Sequence, residues 1–402
     1  MSYQYDVSII VVNYNGQKYL KNLFDALLNL DCDNISFEVV FVDNASSDSS
    51  IYYIKEQKYE DRMNLNIIVN EENQGFAQGN NIGVNAAQGE YVFFLNNDTA
   101  VDRDWLKNAY YKIKQNDHYG VVASKLLFFY DFLELVVETN DHVRISKQIK
   151  LNSNPYTIEN KYCKNIVYSE DIICFGNTRI SIPVYASADL KIELDCIKID
   201  KLSDRIFINA KAFTVEKNKA IISLEKREVE SGKYTLIQNA GSALNDNYDG
   251  YDIGMGDVDS EKYCIERELD SACGAALLTK KDTFLSVGGF DERFFMYYED
   301  TDLSYKIIEK GLKIIFCPTS IVRHIHTGSS GEWSPFFSYH VYRNKLLFLH
   351  KHINKNIYLK YVVKQLLTAI RHRNSMLWRG TIDAVLMDWF GLNKKYTAKL
   401  KK

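Results

Sequence analysis

The sequence predicts an α/β fold: an open, mostly parallel sheet wound with helices, an all-β insertion, and a helical C-terminal region. Three observations predict it. Short, nearly continuously apolar segments recur between residues 7 and 125, the mark of strands buried on both faces. Helical patterns separate them, which is the alternation of a doubly wound sheet. After Phe128 that pattern gives way to apolar–polar alternation, the mark of antiparallel strands with one wet face.

The elements follow in order. "VSIIVVN" reads as the first strand, and "KYLKNLFDALLNL" as a helix with Leu20, Leu23, Phe24, Leu27 and Leu28 on one face. "FEVVFVDN" is a second strand, followed by a helix starting in "SSDSSIYYIKEQ", where Ser and Asp supply caps. "LNIIVN" leads into "GFAQGNNIGVNAAQ", a helix rich in small residues; "EYVFFLNN" and "YGVVASKL" are further strands. From 129 to 236, "TRISIPVYASADLKIELDCIKID" and "DRIFINAKAFTVEKNKAIISLEKREV" alternate as a β-sandwich or barrel would. The α/β pattern returns near Asn239, with "LDSACGAALLTKKDTFLSVGGF" and "EDTDLSYKIIEKGLKIIFCP". The expected divisions are 1–128, 129–236, 237–334 and a helical, basic 335–402.

Composition narrows the function. The 402 residues carry a net charge of -3, which gives no reason to expect a nucleic-acid partner. Seven dispersed cysteines without a CxxC pair fit a reducing, cytoplasmic compartment. No secretory signal and no spanning helix is expected. The C-terminal region mixes Lys351, Lys355, Lys360, Lys364, Arg371, Arg373, Arg379, Lys394, Lys395, Lys399, Lys401 and Lys402 with Trp378, Leu386, Met387, Trp389 and Phe390. A basic helix with such a face can lie on an anionic membrane, and a solvated tail packed on the core is the plainer alternative.

In an open parallel sheet, ligands bind beyond the carboxyl ends of the strands. Here those ends are Asn13-Tyr14-Asn15-Gly16, Asp43-Asn44-Ala45-Ser46, Asn73-Gln74-Gly75-Phe76 and Asn96-Asn97-Asp98. One such end is routine loop chemistry; four on one edge suggest a polar ligand. The first turn, "NYNGQKYL", has one glycine, so neither the dinucleotide GxGxxG nor the Walker pattern is met.

"VSIIVVNYNGQKYL", "VVFVDNASSD", "NQGFAQGNNIG", "FLNNDT", "SACGAALLTKKDTFLSVGGFDERFFMYYEDTDLSYK" and "VYRNKLLF" together resemble the family 2 glycosyltransferases, and within them a bacterial rhamnosyltransferase-like branch. The resemblance covers roughly Val7 to Phe128 and Asn239 to His350. It implies a GT-A fold, a nucleotide-diphosphate sugar donor, a divalent metal (Mg2+ or Mn2+) and inversion at the anomeric carbon. Asp98 stands at the family's DxD position, with Asn96 replacing the first carboxylate, so Asp98 would be a metal ligand. His324 would be the metal-proximal histidine, with His326 as the competing choice. Asp43 would read the nucleobase, and Asn13, Asn15, Asn73, Gly75, Asn80 and Asn97 would line the donor pocket. Arg343 would contact the diphosphate through its planar fork.

Sugar transfer with inversion needs a general base for the acceptor hydroxyl. The family assigns it to the Asp of an ED pair, here Asp300, with Glu299 positioning the acceptor and Asp302 structural. Acidic residues also cap helices as a matter of course. The expected activity is transfer of L-rhamnose from dTDP-rhamnose to a glycan or lipid-linked glycan in bacterial surface polysaccharide synthesis. Two alternatives stand beside it: a UDP-hexose donor, or a non-catalytic glycan-binding or scaffolding protein. The insertion could bind acceptor, mediate a homodimer or brace the core.

Overall fold

The computed structural model of the protein describes residues 3–198, 205–208, 211–213, 215–216, 218–325 and 334–390. His326 and the lysines 394, 395, 399, 401 and 402 lie outside the described residues. Two compact units divide the chain: residues 1–127, 238–254 and 261–402 form one, and residues 128–237 and 255–260 the other.

The larger unit is built on strands β1 (Tyr5–Asn13), β2 (Phe37–Asp43), β3 (Leu65–Val69) and β4 (Gly89–Leu95). They lie in parallel in the order β3-β2-β1-β4. Helices α1 (Gln17–Leu28), α2 (Ser50–Glu56) and α3 (Gly75–Ala86) make the crossovers that parallel pairing requires. In α1, Tyr19, Leu20, Leu23, Phe24 and Leu27 are buried at helical spacing, as the sequence predicts for that face. Val39 to Asp43 is buried throughout, so both faces of β2 are covered.

Beyond β4 the sheet changes character. After β5 (Thr99–Val101), α4 (Trp105–Ile113) and β6 (Tyr119–Phe128), the chain leaves for the second unit. It returns to supply β7 (Arg267–Leu269), β8 (Ala276–Lys280), α5 (Lys281–Ser286), α6 (Glu299–Glu309) and β9 (Lys313–His324). β8 runs antiparallel to both β4 and β6, and β9 antiparallel to β5 and β7. The run β3-β2-β1-β4 is thus parallel, and β8 enters beside β4 as an antiparallel neighbour. Phe93 packs tilted against Trp105 at a 4.0 Å centroid distance, and Phe24 stacks on Tyr59 at 4.3 Å. Each aromatic fully buried in this way stabilises by about 1.5–3 kcal/mol.

Three helices close the larger unit: α7 (Pro335–His352), α8 (Lys355–Arg371) and α9 (Ser375–Phe390). Ser334 caps α7 through Phe337 N, and Asn354 caps α8 through Asn356 N. Met387, expected on an outward apolar face, is instead buried with Leu346, Phe348 and Tyr358.

In the second unit the strands Cys163–Tyr168, Ile172–Val184, Asp131–Ile145 and Leu190–Lys198 are neighbours in an antiparallel sheet. Lys219–Leu224 joins it with alternately exposed and buried residues. One side chain in two feeds a core of Leu133, Leu135, Val137, Ile180, Ile182, Ile192 and Ile222. The short α-helix Lys226–Gly232 and the 3-10 turn Asn160–Tyr162 depart here from the all-β expectation; the α-helix is fixed by a capping box between Glu225 and Glu228.

Candidate active site

The register of β1 against β2 sets Asn13 beside Asp43, so both polar side chains emerge at one end of the sheet. Asn13 Nδ2 donates to Asp43 Oδ1 at 2.9 Å and to Ser46 Oγ at 3.1 Å. Asn97 Nδ2 donates to Asn13 Oδ1 at 2.7 Å, tying the end of β4 to the end of β1. Ser46 Oγ and Ser46 N both donate to the Asp43 carboxylate, at 2.6 and 2.9 Å. Gly16 permits this closeness: a Cβ there would lie 2.1 Å from Asn97 Nδ2 and 2.5 Å from Asn13 Oδ1. Asn15, with φ 51°, accepts from Ser47 N at 2.8 Å through Oδ1. The sequence-predicted Asn13, Asn15, Asp43 and Asn97 thus form one hydrogen-bonded cluster.

Asn73, Gly75 and Asn80 engage the start of α3. Asn73 Oδ1 accepts from Gly75 N at 2.9 Å, and Asn80 Nδ2 donates to Phe76 O at 2.9 Å. What approaches Gly75 is protein: at φ +76° a Cβ would meet the Phe295 ring at 2.5 Å. The Phe295 carbonyl accepts from Phe76 N at 2.7 Å and so occupies the N-terminus of α3.

At the end of β4, Asp98 faces His324 from the end of β9. Asp98 Oδ1 lies 3.0 Å from His324 Nε2, and both residues are buried. Asn96 Nδ2 lies 3.2 Å from the same nitrogen, and Gln238 Oε1 lies 2.9 Å from His324 Nδ1. A carbonyl oxygen on Nδ1 fixes the tautomer with N–H there and leaves the Nε2 lone pair aimed beside the Asp98 carboxylate. That is the arrangement by which a second residue orients a metal-ligating histidine. Two ligands do not make a closed site, and no group of three or more His, Cys, Asp or Glu converges among the described residues. The donor set fits a cation completed by diphosphate and water oxygens.

Asp300 opens α6. Its Oδ2 accepts from Gly274 N at 2.9 Å and its Oδ1 from Thr301 N at 2.8 Å. Burial raises its pKa, and those backbone N–H groups pull it partly back. Beside it Glu299 is buried with Oε2 unpartnered, and burial together with the Asp300 charge pushes its carboxyl well above the usual range. Asp302 is fully buried and meets Lys351 at 2.7 Å, His352 at 2.8 Å and Lys306 at 3.1 Å.

The loop before α6 is strained: Phe295, Tyr297 and Tyr298 have φ of 65°, 70° and 70°. Such left-handed aromatic residues each cost about 1–3 kcal/mol. Arg343 and Asn344 of α7 hold them. The Arg343 guanidinium is buried and donates to the carbonyls of Arg293 and Phe294, both at 2.8 Å. Asn344 Nδ2 donates to those of Phe294, Met296 and Tyr297 at 2.7–2.9 Å. Arg343, expected at diphosphate oxygens, is instead engaged within the protein: its Nη2 donates to those two carbonyls and its Nε to Asn344 Oδ1 at 2.9 Å.

Four residues that the sequence reading did not single out belong here. Gln238 orients His324, and Asn239 and Ser242 both donate to Asp252 Oδ1. Burial pushes the Asp252 carboxyl up to about 6, and it interacts electrostatically with both Asp300 and His324. No motif marks them; the one signal is a run of polar residues where the α/β pattern resumes.

Comparison with known proteins bears on this geometry. Residues 8–175 match the sequence model described as glycosyl transferase family 2, and residues 256–328 match one described as N-terminal domain of galactosyltransferase. A poly(ribitol-phosphate) beta-N-acetylglucosaminyltransferase, TarS, of Staphylococcus aureus (strain Mu50) is 34% identical over 103 residues, 25% of this chain and 18% of that protein. An N-acetylglucosaminyl-diphospho-decaprenol L-rhamnosyltransferase of Mycobacterium tuberculosis (strain CDC 1551) is 39% identical over 67 residues, 17% of this chain and 22% of that protein. The chain thus matches about a fifth of these relatives' own length. Among solved structures, GalNAc-T7 with UDP, GalNAc and Mn2+ superposes with a TM-score of 0.48 at 12% identity, over 92% of this chain and 58% of that one.

Proposed function

This chain belongs to the family 2 glycosyltransferases, and from that premise we propose that it moves a sugar, with inversion, from a nucleotide-diphosphate donor to a glycan or lipid-linked glycan. The setting on this reading is bacterial cell-envelope polysaccharide synthesis, at the cytoplasmic face of the plasma membrane. One observation carries the reading: Asp300 accepts from Gly274 N at 2.9 Å, and the next carbonyl, Ala275 O, accepts from Asn96 N at 3.0 Å, so the ED carboxylate sits beside the strand end that carries Asp98.

The chemistry then runs as follows. The Asn13–Asp43–Asn97 cluster receives the nucleoside. Asp98 and His324 would hold a Mg2+ or Mn2+ ion, whose charge offsets that developing on the departing diphosphate. The acceptor hydroxyl oxygen attacks the anomeric carbon from the face opposite the diphosphate. Its proton passes to the Asp300 carboxylate, and the electron pair of the breaking C–O bond leaves with the nucleoside diphosphate. A raised pKa makes Asp300 the better proton acceptor. Glu299, whose carboxyl burial pushes well above the usual range, helps to shape the acceptor side.

For the donor, dTDP-rhamnose is the first reading, supported by the mycobacterial relative; a UDP-hexose is the second, supported by TarS. The test is release of nucleoside diphosphate from a panel of dTDP-, UDP- and GDP-sugars with Mn2+ or Mg2+. Asp300→Asn is expected to lower turnover by about 10²–10⁴-fold, with the donor-induced rise in melting temperature retained. No release from any donor, together with unaltered donor binding by Asp98→Ala, would sink the enzyme reading in favour of a binding protein.

A further inference from the structure

The geometry points to α8 as a surface that docks on an anionic lipid bilayer. Leu359, Val363, Leu367 and Ile370 recur at the spacing that lines one side of a helix. All four are exposed, between 41% and 63%. The opposite side, Tyr358, Tyr361, Gln365 and Ala369, is buried against the rest of the unit. So α8 is seated on one face and presents a second apolar stripe, roughly 16 Å long at 1.5 Å per residue. A contiguous exposed apolar stripe with a polar rim marks an interaction surface.

Charge decides what covers it. Between Glu332 and Asp383 the sequence contains no acidic residue and nine lysines and arginines. Lys345 and Lys351 are consumed inside the unit, by Asp249 and by Asp291 with Asp302. Lys360, Lys364 and Arg371 each follow a stripe residue by one position, roughly 100° round the helix, and so form a basic edge along it. Among the described residues these three enter no ion pair, and Lys360 is exposed beside Leu359. A second copy of the chain would bring the same cations and the same stripe, leaving the charge unanswered. An anionic bilayer answers both, taking the stripe at the acyl boundary and the cations at the headgroups. No helix among the described residues is long and apolar enough to cross a membrane, so α8 lies along the surface.

This surface rests on the transferase reading only for the reason an enzyme would be there, namely a lipid-linked acceptor. Vesicle binding itself needs neither donor nor acceptor. The full chain is sedimented with phosphatidylcholine vesicles, with and without phosphatidylglycerol. Binding is expected with the anionic vesicles. It should weaken on the order of tenfold or more in Lys360→Glu with Lys364→Glu, and also, at unchanged charge, in Val363→Ser with Leu367→Ser. Donor hydrolysis without vesicles should be unchanged in both variants. Wild-type protein that stays in the supernatant overturns the inference, as does binding that both double variants leave intact. A dimer that Val363→Ser with Leu367→Ser dissociates, in a protein that ignores vesicles, overturns it in favour of a second copy. Vesicle binding by a protein that hydrolyses no donor supports this surface and counts against the transferase reading alone.

Discussion

The larger unit and the β unit place their polar residues in opposite ways. In the larger unit β2 is buried along its length, and polar side chains are pushed to the strand ends, where Asn13, Asp43, Asn97 and Asp98 meet. In the β unit polar residues alternate along each strand, one outward for every one inward, as in Lys219–Leu224. Covering both faces of a sheet concentrates unsatisfied chemistry at its rim; leaving one face wet spreads it thin. The same backbone geometry thus yields a site in one unit and a solvated surface in the other.

That contrast can be broken most forcefully at Asp302, a carboxylate buried in the larger unit behind the site. Asp302→Asn should destabilise by about 3–5 kcal/mol in urea unfolding, because buried Lys306 loses its counter-charge and Lys351 keeps only Asp291. Burial alone would raise the Asp302 pKa, but the His352 hydrogen bond and the two lysines hold it below the usual range. Its contribution is therefore present above the ordinary carboxylate pKa and lost as pH falls through the lowered one, so the gap between variant and wild type should close in acid. In the β unit the largest effect should come from the inward face. Ile222→Ala should cost about 2–5 kcal/mol.

The next effect sharpens the rim side of the comparison. Gln238→Leu should weaken Mn2+ binding in the presence of UDP by about 10–100-fold, read by calorimetry, because His324 loses the acceptor that orients it. Glu299→Gln should act on stability with the opposite pH sense to Asp302. The Glu299 pKa is raised by burial and by Asp300, so the folded protein holds a proton that the unfolded chain releases as pH rises. Stability falls over that interval, so the variant should gain on the wild type as pH rises toward neutrality and match it in acid, read by urea unfolding at both pH values. The smallest effect belongs to the outward face of the β unit. Ile221 is 56% exposed, and Ile221→Ser should stay within about 0.5 kcal/mol one residue away from the costly Ile222.

The parts of the fold that local pattern controls were readable. Continuous apolar runs marked β1 to β4 and β6, helical spacing marked α1, and alternation marked the β unit. The residues at strand ends were readable for the same reason, since a strand must stop where its apolar run stops. What was not readable depends on pairing across long separations. The antiparallel setting of β8 against β4 follows from how the chain re-enters, not from "AALLTK" itself. Gln238 and Asp252 sit in three-residue strands too short to carry a period, and Arg343, expected at the diphosphate, is buried against carbonyls about fifty residues earlier in the sequence.

The Arg343–Asn344 grip on the loop before α6 bears on how this chain could be recombined. Asp300 does not own its position; it borrows it from two residues more than forty places onward, on the helix that carries the motif "VYRNKLLF". A truncation that ends after β9, or a chimera whose grafted C-terminal helices lack that pair, would keep Asp98, Asp300 and His324 and still release three left-handed aromatics to relax. The smallest portable version of this site therefore includes α7, and any shortened or shuffled form should be designed around that helix first.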